Sequence, residues 1–363
     1  MDIIFRCDSS IKIGGGHVMR CLTLADELRN QGGKAHFICR DFPGHISIAI
    51  QERGHKLSLL PFKNPKQCLD DRTQTDWLGV DWEQDADETI EDSNKIKANW
   101  IVIDHYGIDY RWHKKFRSCA EKIMVIDDLA DRQLDCDLLL DQTFGRKEGA
   151  YRSLTPNHCH LLVGSDYTLL RPEFARLRLQ ALEKRKHFSK IKCILVSMGT
   201  MDPENVTGEI LGKLSKIEWE SKPVVDVVLS KNAPHLSVLL KQAEEYPLKI
   251  TIHTDVRNME DFILKAELAI GSGGTTSWER CCLGLPTLVT ENADNQKEII
   301  KHLNRSKALI NLGRFDQLNP LMLKKQIKSL QTSKSLYQEM VEAAKNVCDG
   351  RGTQRVLKKL YES

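Results

Sequence analysis

Short apolar runs alternate with longer amphipathic segments along most of the chain. The apolar runs of the first part predict strands at 2–7, 34–40, 55–60, 100–104, 122–127 and 137–140. Residues 17–31, which follow the first run, predict a helix whose apolar side is formed by Val18, Cys21, Leu22, Leu24, Ala25 and Leu28. Such alternation is typical of βα units around a parallel sheet.

The same alternation resumes at residue 191, after a charged stretch. Strands are predicted at 191–197, 224–229, 248–253, 267–271, 286–290 and 308–311. Helices are predicted between them at 204–216, 234–244, 259–265, 275–283 and 294–303. The tail from residue 319 predicts two helices and a short third one. The chain therefore predicts an α/β protein with two Rossmann-like domains.

The pattern divides the 363 residues into four parts, which suits a chain too long for one ordinary core. Residues 1–165 form the predicted N-terminal domain, with a polar insertion at about 63–99. Residues 166–190 predict an exposed connector helix, 191–318 the second domain, and 319–363 C-terminal helices. We interpret the insertion as containing one acidic helix that faces solvent; a cation site built from its acidic residues is the alternative.

Composition narrows the class of protein. Hydrophobic residues are 41% and charged residues 28% of the chain, as in soluble globular proteins. A net charge of +3 gives no support for a nucleic-acid partner, and no apolar run approaches the roughly 20 residues that span a bilayer. Arg6 and Asp8 interrupt the apolar start, unlike a signal peptide. The 11 cysteines include no CxxC pair and lie mostly in apolar stretches, which predicts reduced thiols and a cytoplasmic protein.

The first candidate site is a glycine turn between the first strand and the first helix. Gly14, Gly15 and Gly16 let the backbone approach a ligand closely, and the helix N-terminus offers free N–H groups to an anion such as a diphosphate. His17 follows in the first helical turn, where a neutral imidazole can act as a general base or merely cover the turn. The turn matches neither the GxGxxG fingerprint nor a Walker A loop.

A second glycine turn follows the predicted strand 267–271. Glycines, hydroxyls and N–H groups at a helix N-terminus are combined there in Ser272, Gly273, Gly274, Thr275 and Thr276. Glu279 lies one turn into the helix, where its carboxylate either accepts hydrogen bonds from the two hydroxyls of a ribose or caps the helix. Loops with Gly199, Asn295 and Gln296 follow other strands of the same predicted sheet. Ligands of open parallel sheets bind at that edge, so these loops predict a nucleotide diphosphate site.

Metal-ligating residue types occur elsewhere in the chain, in the pairs Asp127-Asp128, Asp135 with Asp137, and His158 with His160. A polar turn explains the aspartates, and an alternating strand explains the histidines. We therefore expect neither a metal nor another cofactor.

The motifs together resemble a known family. They are RCDSSIKIGGGHVMRCLTLADEL, DHYGID, IDDLADR and CDLLLDQ in the first half, then SMGTMDPENVT, GSGGTTSWERCCLGLPTLV and ADNQ. The chain is similar to the UDP-2,4-diacetamido-2,4,6-trideoxy-β-L-altropyranose hydrolases of pseudaminic acid biosynthesis, a route to flagellin glycosylation or surface polysaccharide. It is similar, more distantly, to the peptidoglycan N-acetylglucosaminyltransferase that makes lipid II. The resemblance covers most of residues 1–305, while 63–99 and the tail beyond about 310 fit less well.

The resemblance implies the GT-B fold, in which two Rossmann-like domains have parallel sheets facing across a cleft. By the same analogy, the tail returns to the first domain. His17 matches the proposed general base of the family, and Tyr106 matches a tyrosine near the sugar.

The resemblance also implies how the substrate is bound. Asn295 matches a substrate-contacting asparagine, and Glu279 with the turn 273–276 matches the ribose and diphosphate sites of the related transferases. Met259 falls where those relatives contact the edge of the uracil. The implied partner is a small UDP-sugar.

The implied reaction is hydrolysis without a metal. Water deprotonated by His17 attacks the anomeric carbon opposite UDP and yields the free sugar and UDP with inversion. Three alternatives stay open: an inverting UDP-sugar glycosyltransferase, a non-catalytic UDP-sugar-binding protein, and an epimerase that returns a UDP-linked product. The first half shows no conspicuous exposed apolar cluster for a membrane-borne acceptor, which favours water.

Overall fold

A computed structural model describes residues 1–62, 77–94 and 96–363. They form two compact units: unit 1 is Met1–Leu169 with Gly352–Ser363, and unit 2 is Leu170–Arg351. Each unit contains one parallel sheet with helices, so the predicted α/β class with two Rossmann-like domains is confirmed. Part of the predicted insertion 63–99, namely 63–76 and 95, lies outside the described residues.

The sheet of unit 1 has seven parallel strands. They are β1 (Asp2–Cys7), β2 (Lys34–Arg40), β3 (Lys56–Leu60), β4 (Trp100–Asp104), β5 (Lys122–Ile126), β6 (Leu138–Asp141) and β7 (His160–Val163). Their order is β3-β2-β1-β4-β5-β6-β7, so the chain reverses its direction of growth between β1 and β4. In such sheets the crevice beyond the carboxyl ends of the two strands at the reversal is a preferred ligand site.

The helices of unit 1 cover both faces of this sheet. They are α1 (Gly16–Asn30), α2 (Ile48–Glu52), α3 (Trp82–Ser93), α4 (Tyr110–Phe116) and α13 (Gly352–Glu362), the last at the end of the chain. Successive side chains of a strand point to opposite faces, so Ile3 and Phe5 join one apolar core and Ile4 joins the other. The short α2 and α4 were not predicted, because five and seven residues carry too little periodicity.

The C-terminal helix α13 belongs to unit 1. It packs against α1 and places Val356, Leu357 and Leu360 in the same apolar core as β1. The tail therefore returns to the first unit, as the fold analogy suggests. The helix is not short, as predicted, but has 11 residues, because an apolar stripe runs along its whole length.

The prediction that the acidic helix of the insertion faces solvent is wrong at its centre. Asp85 of α3 is fully buried and accepts hydrogen bonds from Arg6 (2.6 Å), Arg40 (2.7 Å) and the indole of Trp112 (3.0 Å). Arg6 and Arg40 belong to β1 and β2, where a buried guanidinium requires an acidic partner. The helix is thereby held to the sheet, and the carboxylate of Asp85 is bound by side chains of the protein itself.

Unit 2 contains a second, six-stranded parallel sheet. Its strands are β8 (Cys193–Ser197), β9 (Val224–Leu229), β10 (Lys249–Thr254), β11 (Leu268–Ser272), β12 (Thr287–Glu291) and β13 (Ile310–Arg314), in the order β10-β9-β8-β11-β12-β13. Its helices are α5 (Pro172–Lys186), α6 (Val206–Ser215), α7 (Leu236–Glu245), α8 (Met259–Lys265), α9 (Thr276–Cys282), α10 (Lys297–Arg305), α11 (Pro320–Thr332) and α12 (Lys334–Lys345). Within the described residues, no helix combines the length and apolarity that crossing a lipid bilayer requires.

The helix predicted as an exposed connector, α5, packs within unit 2. Its Arg185 is buried and donates to the backbone carbonyls of Leu283, Ala266 and Ile263, each at 2.8 Å. Glu183, Lys184 and Lys186 are exposed, as the dense charge predicts, whereas Arg185 is buried because its guanidinium satisfies three carbonyls.

Candidate active site

The glycine turn of unit 1 connects β1 to α1 at the point where the strand order reverses. The amide of Gly14 donates to the carbonyl of Ser10 (2.9 Å), and Gly14 adopts the left-handed conformation with φ +76°. Gly15 caps α1, and Gly16 begins it. A side chain at position 14 would be strained, so the sequence folds here into a bare turn that leads directly to His17.

His17 lies in the first turn of α1 and is 8% exposed. Its Nδ1 lies 2.6 Å from Oδ1 of Asp104, at the end of β4. Burial would raise the pKa of Asp104, but the charges of Arg20 and His17 outweigh burial and hold that pKa well below its usual range. An ionised carboxylate can only accept, so Nδ1 of His17 carries the hydrogen. In the neutral ring, Nε2 then has the free lone pair that a general base requires.

Arg20, one turn along α1, joins this pair to a second carboxylate. It donates to both oxygens of Asp104 (2.5 and 2.6 Å) and to Oδ2 of Asp128 (2.5 Å). Tyr106 donates its hydroxyl to the same oxygen of Asp128 (2.8 Å), and the other oxygen of Asp128 is buried with no partner among the described residues. Burial and the charge of Asp128 raise the pKa of Tyr106 well above its usual value, so the phenol stays protonated.

Two aromatic rings lie beside His17. The ring of Tyr106 meets the imidazole edge-on with centroids 4.7 Å apart, and Trp77 lies 6.3 Å from the imidazole and 5.6 Å from Tyr106. The structure thus brings together the predicted residues Gly14, Gly15, Gly16, His17 and Tyr106. The sequence did not predict Asp104, Arg20, Asp128 or Trp77 as parts of this group.

The second glycine turn lies between β11 and α9 in unit 2. A Cβ on Gly271, just before it, would approach the carbonyl oxygen of Ser197 to 2.9 Å and collide with Arg280. The buried guanidinium of Arg280 donates to the carbonyl of Ser272 (2.7 Å) and the hydroxyl of Ser277 (3.1 Å). These contacts hold Ser272 and Gly273 at the end of β11, with Gly274, Thr275 and Thr276 partly exposed after it.

Glu279 lies one turn into α9, half-buried, and its Oε2 has no partner among the described residues. Burial raises the pKa of Glu279 to about 7, although the charges of Arg171 and Arg280 act in the opposite direction. A carboxylate with a free acceptor oxygen can accept hydrogen bonds from a hydroxylated ligand.

The remaining predicted residues of unit 2 follow neighbouring strands. Gln296 reaches the glycine turn, because its Oε1 accepts from the amide of Gly273 (3.1 Å), and Oδ1 of Asn295 is buried with no partner among the described residues. Gly199 follows β8, the strand beside β11, with φ +113°. Met259 begins α8 and is half-buried. The glycine turn and Gln296 are therefore in contact. Gly199 and Met259 follow other strands and lie, like the turn, beyond the carboxyl ends of the sheet.

The aspartate pairs named above have basic partners. Asp127 pairs with Arg132 (2.7 Å), and both Asp135 (3.1 Å) and Asp137 (2.6 Å) pair with Arg117. Among residues 1–62, 77–94 and 96–363, no group of three or more His, Cys, Asp or Glu side chains is arranged to hold a metal ion.

Comparison with known proteins gives three relatives in sequence, two of which are described below, while no protein-family model matches the chain. The chain is 26% identical over 304 residues to the uncharacterized protein MJ1062 of Methanocaldococcus jannaschii, across 82% of this chain and 57% of that relative's length. It is 26% identical over 258 residues to the UDP-2,4-diacetamido-2,4,6-trideoxy-β-L-altropyranose hydrolase of Campylobacter jejuni, across 71% of this chain and 77% of the hydrolase. The chain thus spans little more than half of MJ1062.

Among solved structures, MurG of Acinetobacter baumannii matches with a TM-score of 0.68 over 100% of this chain and 99% of that chain, at 13% identity. At that identity the likeness concerns the fold. The chain therefore has the GT-B fold and is similar in sequence to a UDP-diacetamido-trideoxy-altropyranose hydrolase.

Proposed function

We propose that this protein hydrolyses a UDP-linked sugar, with His17 as the general base that activates water. The observation that carries the proposal is the buried His17–Asp104 pair, joined at 2.6 Å, in which the ionised carboxylate fixes the tautomer. Arg20 compensates the carboxylate with two N–H groups, so the charge can remain in a buried position. A base oriented in this way suits the removal of a proton from water.

In this proposal the glycine turn of unit 2 holds the UDP. The amide of Gly273 is held by Gln296, and the N–H groups of Gly274, Thr275 and Thr276 face the diphosphate at the start of α9. Glu279 accepts hydrogen bonds from the ribose hydroxyls with its free oxygen. Asn295 and Gln296 contact the diphosphate or the sugar. Met259 and Gly199 lie on the side of the uracil, and the bare turn Gly14–Gly16 leaves room for the substrate. Preorganised N–H donors stabilise the departing diphosphate, and no metal takes part.

The proposed substrate is UDP-2,4-diacetamido-2,4,6-trideoxy-β-L-altropyranose, because the Campylobacter jejuni relative is a hydrolase of that compound. Water attacks the anomeric carbon, its proton passes to Nε2 of His17, the C–O bond to UDP breaks, and the sugar is released with inverted configuration. The product would serve pseudaminic acid biosynthesis, as the sequence resemblance implies.

The test compares the wild type with His17→Asn, using NMR to follow free sugar. We expect turnover to fall by about 10²–10⁴-fold, the usual contribution of a general base, with UDP affinity unchanged. His158→Asn is the matched control, since His158 is an exposed histidine of unit 1, and it should turn over at the wild-type rate. Near-normal turnover of His17→Asn would refute the assignment.

Hydrolysis in ¹⁸O-water tests which bond breaks. The label should enter the sugar; label in UDP would mean attack at phosphorus.

Sugar transfer to another acceptor is the second candidate, because the resemblance to the lipid II transferase includes the same glycine turn of unit 2. The same NMR experiment separates the two functions. A hydrolase releases free sugar at steady turnover without an added acceptor, whereas a transferase consumes the UDP-sugar only when an acceptor is present. An epimerase would instead return a UDP-linked product, and a binding protein would give no product.

A further inference from the structure

Trp77 is an aromatic side chain of the candidate active site that the family resemblance does not account for. It lies in the segment 63–99, which fits the family less well. Its ring lies 6.3 Å from His17 and 5.6 Å from Tyr106, and the residue is half-buried. The Tyr106 ring already contacts the imidazole at 4.7 Å, so Trp77 extends the aromatic surface beyond that contact.

The residues directly after Trp77 hold it in place. Leu78 is 1% exposed and joins the apolar core beneath α3. Gly79 adopts φ +69°, and a Cβ there would approach the ring of Phe42 to 2.7 Å, so only glycine fits this close passage. Asp81 then caps α3 by accepting from the amides of Glu83 (2.9 Å) and Gln84 (3.0 Å).

Helix α3 is in turn held to β1, the strand that leads into the glycine turn of unit 1, and to its neighbour β2. Asp85 accepts hydrogen bonds from Arg6 of β1 (2.6 Å) and from Arg40 of β2 (2.7 Å), and all three side chains are fully buried. β1 leads into the glycine turn and His17. The position of the Trp77 ring relative to the imidazole is therefore set by a buried ion network and a buried leucine, which is the support that a preorganised binding residue needs.

We infer, on the basis of the proposed function, that Trp77 binds the sugar of the substrate by packing its ring against apolar groups of that sugar. The substrate class is a UDP-sugar with methyl-bearing substituents, such as acetamido groups or a 6-deoxy carbon. An indole buries more apolar area than any other side chain and leaves the hydroxyls of the sugar free. A partly open ring beside the base provides such a surface, and small-molecule sites are lined by aromatic side chains for this reason.

The test is an equilibrium titration in the His17→Asn background, in which the expected loss of turnover slows hydrolysis during the measurement. The probes are UDP-2,4-diacetamido-2,4,6-trideoxy-β-L-altropyranose and UDP alone. With Trp77→Ala added, we expect affinity for the UDP-sugar to fall about tenfold and affinity for UDP to stay unchanged. Trp77→Phe, which keeps an aromatic face, should remain within about threefold of the parent.

Trp82→Ala is the matched control, because Trp82 lies in the same segment but packs against another partner. The guanidinium of Arg111 lies over the Trp82 ring, 5.1 Å from its centroid. It should bind both probes as the parent does. The inference is overturned if Trp77→Ala binds the UDP-sugar like the parent, if it loses UDP and UDP-sugar equally, or if Trp82→Ala has the same effect. Those outcomes leave hydrolysis by the wild type intact; conversely, a wild type that releases no sugar refutes the proposed function, and the titration still reports on Trp77.

Discussion

Replacement of Asp104 by asparagine isolates the electrostatic part of the proposed base. Asp104 Oδ1 lies 2.6 Å from Nδ1 of His17, and the pair becomes oppositely charged when the imidazole takes a proton from water. With about 4 Å between the centres of charge and an effective dielectric constant of about 20, the attraction is about 4 kcal/mol. Its loss corresponds to about a thousandfold in turnover. Asparagine also permits the wrong tautomer, because its amide can donate to Nδ1.

The variant should fold, because Arg20 keeps its ion pair with Asp128 at 2.5 Å. The assay is the initial rate of free-sugar release, with UDP affinity measured in parallel and expected to be unchanged. Asp109→Asn is the matched control: Asp109 caps α4 in the same unit, and asparagine is an equally good cap. Turnover of Asp104→Asn within about threefold of the wild type, in a folded protein, would show that the carboxylate does not support the base.

Two further predictions concern other buried carboxylates. Burial raises the pKa of Glu279 to about 7, so the ionised fraction of its carboxyl group rises about tenfold from pH 6 to pH 8. If the ionised form accepts hydrogen bonds from the ribose hydroxyls, UDP affinity should rise by the same factor. Calorimetry should show no such rise in Glu279→Gln beyond the titration of the nucleotide, and equal pH profiles would contradict the ribose role. Asp85→Ala leaves the buried guanidiniums of Arg6 and Arg40 without this partner, so the free energy of unfolding should fall by about 3–5 kcal/mol in urea denaturation; a loss under about 1 kcal/mol would contradict a structural role for Asp85.

Both glycine turns could be located from sequence because their signals are local. An apolar run, then glycines, then an amphipathic helix specifies a strand, a turn and a helix N-terminus within about 15 residues. The parallel sheets followed for the same reason, since each βα unit carries its own pattern. His17 and Gly273 therefore lie where the sequence predicted.

The carboxylates around His17 could not be found in that way, because they are distant in the chain. His17 and Asp104 are 87 positions apart, and Arg20 and Asp128 are 108 apart. Arg20 reads as one polar residue of an amphipathic helix, yet it is only 4% exposed. Burial of the acidic helix did leave a signal: Arg6 and Arg40 stand within apolar strands, and buried arginines require acidic partners.

The helix α13 gives unit 1 a discontinuous chain, with Met1–Leu169 completed only by Gly352–Ser363. Val356 and Leu357 of this helix are fully buried in the core that also holds β1 and α1. During synthesis, the apolar groove that α13 fills stays uncovered while the contiguous unit 2, Leu170–Arg351, is made in full. The half of the molecule that carries His17 thus begins to form before unit 2 has been synthesised, and its core is completed only after unit 2 has been made.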